Sequence, residues 1–169
     1  MKKLLALAIL LSLGMGAPLW AMDCPSVQSA TTVYQCTQTV FNDNGATIIS
    51  GYTVSWDDDD TDFSTLGYPY VITTTTADDP YTAGVMLRDC PDQSLCEIVV
   101  RGSADVVVDD ASDDATVDTL VGIHTANAGR LGDYATGANT CALGMLKEFI
   151  GGEGVDNTRA RVWVDIDCD

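Results

Sequence analysis

The cysteines constrain the fold of this 169-residue chain more than any other feature. All six follow an apolar N-terminal leader, and an even number of cysteines in an exported chain is typical of a disulfide framework. The sequence therefore predicts three disulfides, formed in an oxidising compartment by Cys24, Cys36, Cys90, Cys96, Cys141 and Cys168. A bond between Cys90 and Cys96 is favoured, because residues 91–95 (Pro-Asp-Gln-Ser-Leu) are typical of a turn between two apolar runs.

The first 21 residues have the three parts of a secretory signal peptide. Lys2 and Lys3 give a positive start, residues 4–13 form an apolar core too short to span a membrane, and small residues lead to Ala21. We expect cleavage there to leave a single domain, residues 22–169, which is long enough to bury a core. No second apolar stretch of spanning length follows, so the predicted location is the bacterial periplasm or the extracellular medium.

The chain is strongly acidic, with a net charge of −17 that becomes −19 when Lys2 and Lys3 leave with the leader. Of its 25 acidic residues, 22 are aspartates, which form helices poorly and are common in turns and cation sites. So negative a field repels nucleic acid and anionic membranes and argues against both as partners. It is compatible with halophilic adaptation, with binding of a divalent cation, or with a basic partner.

The first part of the mature chain is rich in residues that favour strands. Residues 30–41 and 46–56 are predicted to form a hairpin around Asn44 and Gly45, and residues 70–77 a third strand. The runs on either side of the Cys90–Cys96 turn are expected to pair with each other. The last strand, residues 159–168, alternates cleanly between apolar and polar side chains.

Two segments have apolar residues at helical spacing. Residues 109–128 begin with acidic side chains that suit a helix N-terminus, and residues 140–150 end at two glycines. The sequence therefore predicts an α+β fold, with an antiparallel sheet and two helices packed on one face. If these two segments are not helical, the alternative is an all-β sandwich.

An acidic loop between the second and third predicted strands is the most suggestive candidate site. Five carboxylates occur in residues 57–62, and the oxygen spacing there resembles that of calcium loops. Asp57, Asp59 and Asp62 are the candidate ligands of a non-helical calcium site; the alternative is a solvated acidic turn. No helix–loop–helix calcium motif is present, because Asp62 stands where such a loop needs glycine.

Three aromatic residues are candidates for binding a partner. Tyr68 and Tyr70 flank Pro69 beside the acidic loop and are expected to be exposed there, whereas Trp56 fits the buried face of its strand. Trp163 lies on the polar face of the last strand, so it is either covered by another element or an exposed anchor for a partner.

The chain offers little for catalysis. His124 is its only histidine and has apolar neighbours at helical spacing, and no nucleophile-elbow motif occurs. We therefore expect a non-catalytic exported domain that binds a protein or glycan partner, with calcium as a candidate cofactor. The alternative is a secreted hydrolase that uses His124 or a pair of carboxylates.

Overall fold

A computed structural model describes residues 35–57, 67–73, 79–108, 117–123, 128–134, 141–150 and 158–168. Within these ranges the chain forms nine strands and no α-helix, so none of the described elements is a helix that could cross a membrane. The strands are β1 (Gln35–Asn42), β2 (Thr53–Trp56), β3 (Tyr70–Ile72), β4 (Thr82–Met86), β5 (Leu95–Val107), β6 (Leu120–Ile123), β7 (Leu131–Asp133), β8 (Cys141–Phe149) and β9 (Arg159–Cys168).

Five strands close into a barrel in the order β1-β3-β2-β4-β5, and pairing between β5 and β1 completes the ring. The β1–β3 pair is parallel, whereas the other pairs in the ring are antiparallel. Val40, Val54 and Val71 lie in the apolar cluster formed by this part of the chain. A closed barrel leaves no unpaired sheet edge among these strands.

The remaining strands extend from the distal half of β5 in the order β5-β9-β8-β6-β7. β5 serves both units, because its first part pairs with β1 and β4 while its last seven positions pair with β9. A parallel bridge between Val108 and Leu131 brings β7 back beside the end of β5. This second sheet therefore curls around a core of its own.

Neighbouring side chains of β4 and β5 point into different cores. Val85 and Val99 belong to the cluster under the second sheet, whereas Met86 and Ile98 belong to the barrel cluster. Successive side chains of a strand face opposite sides of a sheet, so both faces of this strand pair are covered. All five residues of β4 are buried as a result.

The structure shows that the two predicted helices are wrong and that the fold is all-β. Residues 140–150 contain β8, and the described part of residues 109–128 contains β6. In β8, Leu143 and Leu146 reach the same core although they are three residues apart. The pairing with β9 shifts register twice along β8, and such irregularities replace the alternation of a regular strand by a spacing that resembles a helix. β6 has only four residues, which is too few to display a period of two.

The predicted hairpin between the first two strands is also wrong. β1 pairs with β3 and β5, and β2 pairs with β3 and β4, so β3 lies between them. Asn44 and Gly45 do make a bend, with Gly45 at φ +70°. Polar side chains attach this bend to other parts of the chain. The Asn42 amide donates to the carbonyl of Cys90 at 2.9 Å, and Thr73 donates its N–H to Asn44 Oδ1 at 2.9 Å.

The predicted disulfide between Cys90 and Cys96 is confirmed, with 5.9 Å between the two Cα atoms. The strands that flank it, β4 and β5, pair as expected. Cys36 and Cys141 are disulfide-bonded too. The backbone register places Cys141 opposite Cys168, while Cys24 lies outside the described residues.

Candidate functional site

The outer face of the second sheet carries a continuous row of side chains across four strands. In the backbone register Leu120 of β6 pairs with Met145 of β8, Met145 pairs with Trp163 of β9, and Trp163 pairs with Ser103 of β5. Side chains at directly opposed positions lie about 5 Å apart and contact each other. We call these four residues the Trp163 row, and the surface around them the Trp163 face.

The three large members of the row are exposed. The exposed fraction is 45% for Leu120, 36% for Met145 and 38% for Trp163. The residues on either side of Trp163 in the chain, Val162 and Val164, are fully buried in the core beneath. The row therefore lies on the solvent side of a sheet whose other side is already packed.

An ion-pair cluster borders the row on one side. Arg161 Nε lies 3.2 Å from Asp105 Oδ1, and Arg161 Nη1 lies 2.7 Å from Glu148 Oε1. Both acids are opposite Arg161 in the strand register. One arginine of β9 thus links the strands on its two sides.

The opposite border has a second cross-strand pair. Arg101 Nε of β5 lies 3.3 Å from Asp165 Oδ1 of β9, and their side chains are more than half exposed. Exposed pairs of this kind contribute only about 0–1 kcal/mol to stability, so their main effect is to distribute charge over the surface.

Lys147 lies beside the apolar row. Its Nζ is 2.9 Å from Asp118 Oδ1 and 2.9 Å from the Met145 sulfur. With Arg101 and Arg161, it makes three of the six basic residues that follow the leader. This face is consequently much less acidic than the chain as a whole.

A shallow groove runs beside the row and gives the face a concave region. Its lining combines apolar and charged side chains, among them Leu120, Met145, Trp163, Lys147, Asp165 and Asp167. Aromatic residues, methionine and arginine around an apolar centre are the composition that protein interfaces favour. The arrangement is suited to binding a surface.

The alternation predicted for the last strand is present in β9. Ala160, Val162 and Val164 are buried, and Arg161, Trp163 and Asp165 are exposed. Of the two expectations for Trp163, the structure agrees with the exposed residue rather than the covered one. Its role as an anchor for a partner stays a prediction from the sequence.

The two tyrosines beside the acidic loop differ from Trp163 in their surroundings. Tyr70 is only 6% exposed and packs edge-to-face on Phe41, with ring centroids 5.0 Å apart, so the exposure expected for it is not observed. Tyr68 is partly buried. A ligand-binding role for either residue stays a prediction from the sequence.

The candidate calcium ligands are only partly described. Asp57 lies at the end of β2, where its backbone N–H donates to the Tyr70 carbonyl at 3.1 Å. Asp59 and Asp62 lie outside the described residues, as does His124. Among the described residues no group of three or more His, Cys, Asp or Glu side chains is arranged to hold a metal ion.

Sequence reasoning misses the rest of the row. The predicted helix of residues 140–150 assigns Met145 to a buried apolar face, and the predicted helix before it gives Leu120 the same role. The signal that identifies them is the strand register, which aligns both with Trp163. It becomes visible only once β6 and β8 are known to be strands.

Comparison with known proteins shows a weak structural likeness. No protein-family model matches the sequence, and no curated protein matches it significantly. A chain from "The capsid of Myoviridae Phage XM1" superposes with a TM-score of 0.46 and 16% sequence identity, over 84% of this chain and 91% of that one. Likeness at this level does not carry function from one protein to the other.

Proposed function

We propose that this protein is a non-catalytic structural domain that binds another protein through the Trp163 face. The observation that carries the proposal is the row itself, in which Leu120, Met145 and Trp163 are adjacent and exposed on a sheet whose opposite side is packed. A contiguous exposed apolar patch on a folded domain is typical of an interaction site.

The chemistry of the face favours a protein as the partner. Tryptophan and arginine are the residues whose truncation most weakens protein interfaces, and Trp163 lies between Arg161 and Arg101. Both arginines are already paired with acids of neighbouring strands, so their charge is partly balanced before a partner arrives.

The disulfides support an exported location for this domain. Cys90–Cys96 is formed, and Cys36 and Cys141 are disulfide-bonded as well. Such bonds persist outside the reducing cytoplasm. Together with the leader of residues 1–21, they favour the periplasm or the extracellular medium as the site where the domain functions.

Site-specific photo-crosslinking in the cells that make the protein tests the proposal. A photoreactive amino acid replaces Leu120 in the row or, as the control, Tyr81 on the barrel, which is 49% exposed. We expect a defined cross-linked species from position 120, none from position 81, and loss of the first when Trp163→Ala is added. Equal yields from both positions, or no adduct at position 120, would contradict the proposal.

A further inference from the structure

The exposed charges of β9 and β5 alternate in sign around Trp163. Because the two strands are antiparallel, the arginine of each strand lies opposite an aspartate of the other. Along the exposed face of β9, Arg161 precedes Trp163 and Asp165 follows it. Along β5, Arg101 precedes Ser103 and Asp105 follows it. Each of these two strands therefore presents a positive side chain on one side of the row and a negative one on the other, whereas β8 adds Glu148 on the side of Arg161.

From this pattern we propose that the partner of the Trp163 face is a second copy of this chain, bound face to face about a twofold axis along the row. The inference rests on the proposed function and names its partner. Rotation about that axis exchanges the two sides of the row while each strand stays over its own counterpart. Trp163 then meets Trp163 of the second copy.

The rotation also brings opposite charges together. Arg161 lies over Asp165 of the other copy, and Asp105 lies over Arg101 of the other copy. Every such contact occurs twice in the dimer, because the interface is symmetric. A twofold axis along the strands would instead place Arg161 over Arg161, so the charge order selects one of the two face-to-face arrangements.

The charge of the whole chain favours the same surface. Two copies with a net charge of −17, or −19 once the leader is removed, repel each other, and the repulsion is smallest where the facing surfaces carry the least net negative charge. On the Trp163 face Arg101, Lys147 and Arg161, half of the basic residues that follow the leader, offset most of the negative charge of the four acids paired with them: Asp105, Asp118, Glu148 and Asp165. A strongly basic partner would instead be drawn to the more acidic parts of the molecule.

Sedimentation equilibrium of the purified, disulfide-bonded protein at about 0.15 M salt, where charges are screened beyond roughly 8 Å, tests the association. We expect a dimer, with a dissociation constant at least tenfold weaker in Trp163→Ala, as for a residue at the centre of an interface. Tyr81→Ala, an exposed aromatic on the barrel, is the matched control and should leave association unchanged. A wild-type protein that stays monomeric up to ~1 mM would overturn the proposal.

Charge reversal tests the arrangement. Arg161→Asp alone places two aspartates in contact across the axis, and Asp165→Arg alone places two arginines in contact, so each should weaken the dimer about tenfold or more. Mixed in equal amounts, the two variants regain both attractive contacts and should form a heterodimer. Arg88→Asp and Asp92→Arg, which reverse exposed charges near the Cys90–Cys96 turn, are the controls for folding and net charge.

The outcomes separate this inference from the proposed function. If the mixture associates no more tightly than either variant alone, with circular dichroism unchanged, the proposed arrangement is wrong. If position 120 cross-links to a different protein while the purified chain stays monomeric, the docking face stands and the second copy is excluded as its partner. If neither association nor an adduct is found, both proposals fail.

Discussion

Gly144 lies in the middle of β8, beside the strand that carries Trp163. A Cβ atom built on it would lie 2.1 Å from the carbonyl oxygen of Trp163 and 3.0 Å from the backbone nitrogen of Asp165. Its φ of +155° is also one that L side chains rarely adopt. The two strands approach this closely only because residue 144 has no side chain, which links this glycine to the position of the Trp163 row.

Gly144→Ala is therefore expected to lower the free energy of unfolding by about 3 kcal/mol or more, since backbone strain and overpacking add at this position. Gly45→Ala is the control. Gly45 also has a positive φ, at +70°, but a Cβ atom there would meet no other atom within 4 Å, so only the backbone cost of about 1–2 kcal/mol applies. Urea unfolding of both variants measures the difference, and equal losses would show that the close approach in β8 is not needed.

The exposure of single residues follows from the sequence where the strand pattern is regular. Trp163 is exposed because the alternation of β9 is intact from Ala160 to Asp165. For Tyr70 the sequence predicts exposure from its neighbours, Pro69 and the acidic loop. Its burial comes from Phe41, which is distant in the chain and reaches it only because β1 and β3 pair.

At the scale of elements, β9 and β8 show why one strand is recognisable from its sequence and the other is not. The sequence predicts β9 with the boundaries that it has, because its alternation is uninterrupted. β8 pairs with it through two register shifts, and each shift changes which side chains face the core. Helical spacing is the simplest interpretation of the resulting pattern, although it is wrong.

The pairing of β1 escapes sequence reasoning for a different reason. A bend at Asn44 and Gly45 is real, but a turn sequence indicates only that the chain changes direction. The long partner of β1 is β5, which lies more than 50 residues further along the chain. The first half of β5 pairs with β1 over seven positions. Pairing at that distance leaves no local signal in the sequence.

The Cys90–Cys96 disulfide stabilises the turn that joins β4 and β5. Replacing both cysteines with alanine should lower the free energy of unfolding by about 2 kcal/mol, the loop-closure entropy expected for a short loop. The loss should be larger if the core repacks poorly, because Cys90 is fully buried in the barrel cluster. Urea unfolding of both proteins at the same pH measures this loss of unfolding free energy. If the double alanine variant unfolds at the same urea concentration as the wild type, the turn forms equally well without the bond.

At the scale of the whole molecule, the two cores share one strand pair. β4 and β5 pack against the barrel core with one face and against the second core with the other. The sequence contains the necessary strands, and the all-β alternative allows for them. Closure of the barrel depends on the β1–β5 pairing and on the division of β5 between two sheets, neither of which composition or periodicity indicates.

The net charge of −17 acts on this whole molecule as self-repulsion that opposes the compact state. Raising sodium chloride from ~0.01 M to ~0.5 M should therefore increase the melting temperature by about 5 °C, because screening at high salt removes most of the repulsion. The melting temperature should be measured on the Trp163→Ala variant, because weaker association of its copies keeps dimer formation from contributing to the salt effect. Asp92→Lys in the same background makes the net charge two units less negative at an exposed turn and should reduce the salt dependence. A melting temperature that falls with salt in both proteins would mean that the cross-strand ion pairs of the Trp163 face outweigh the repulsion of the remaining acids.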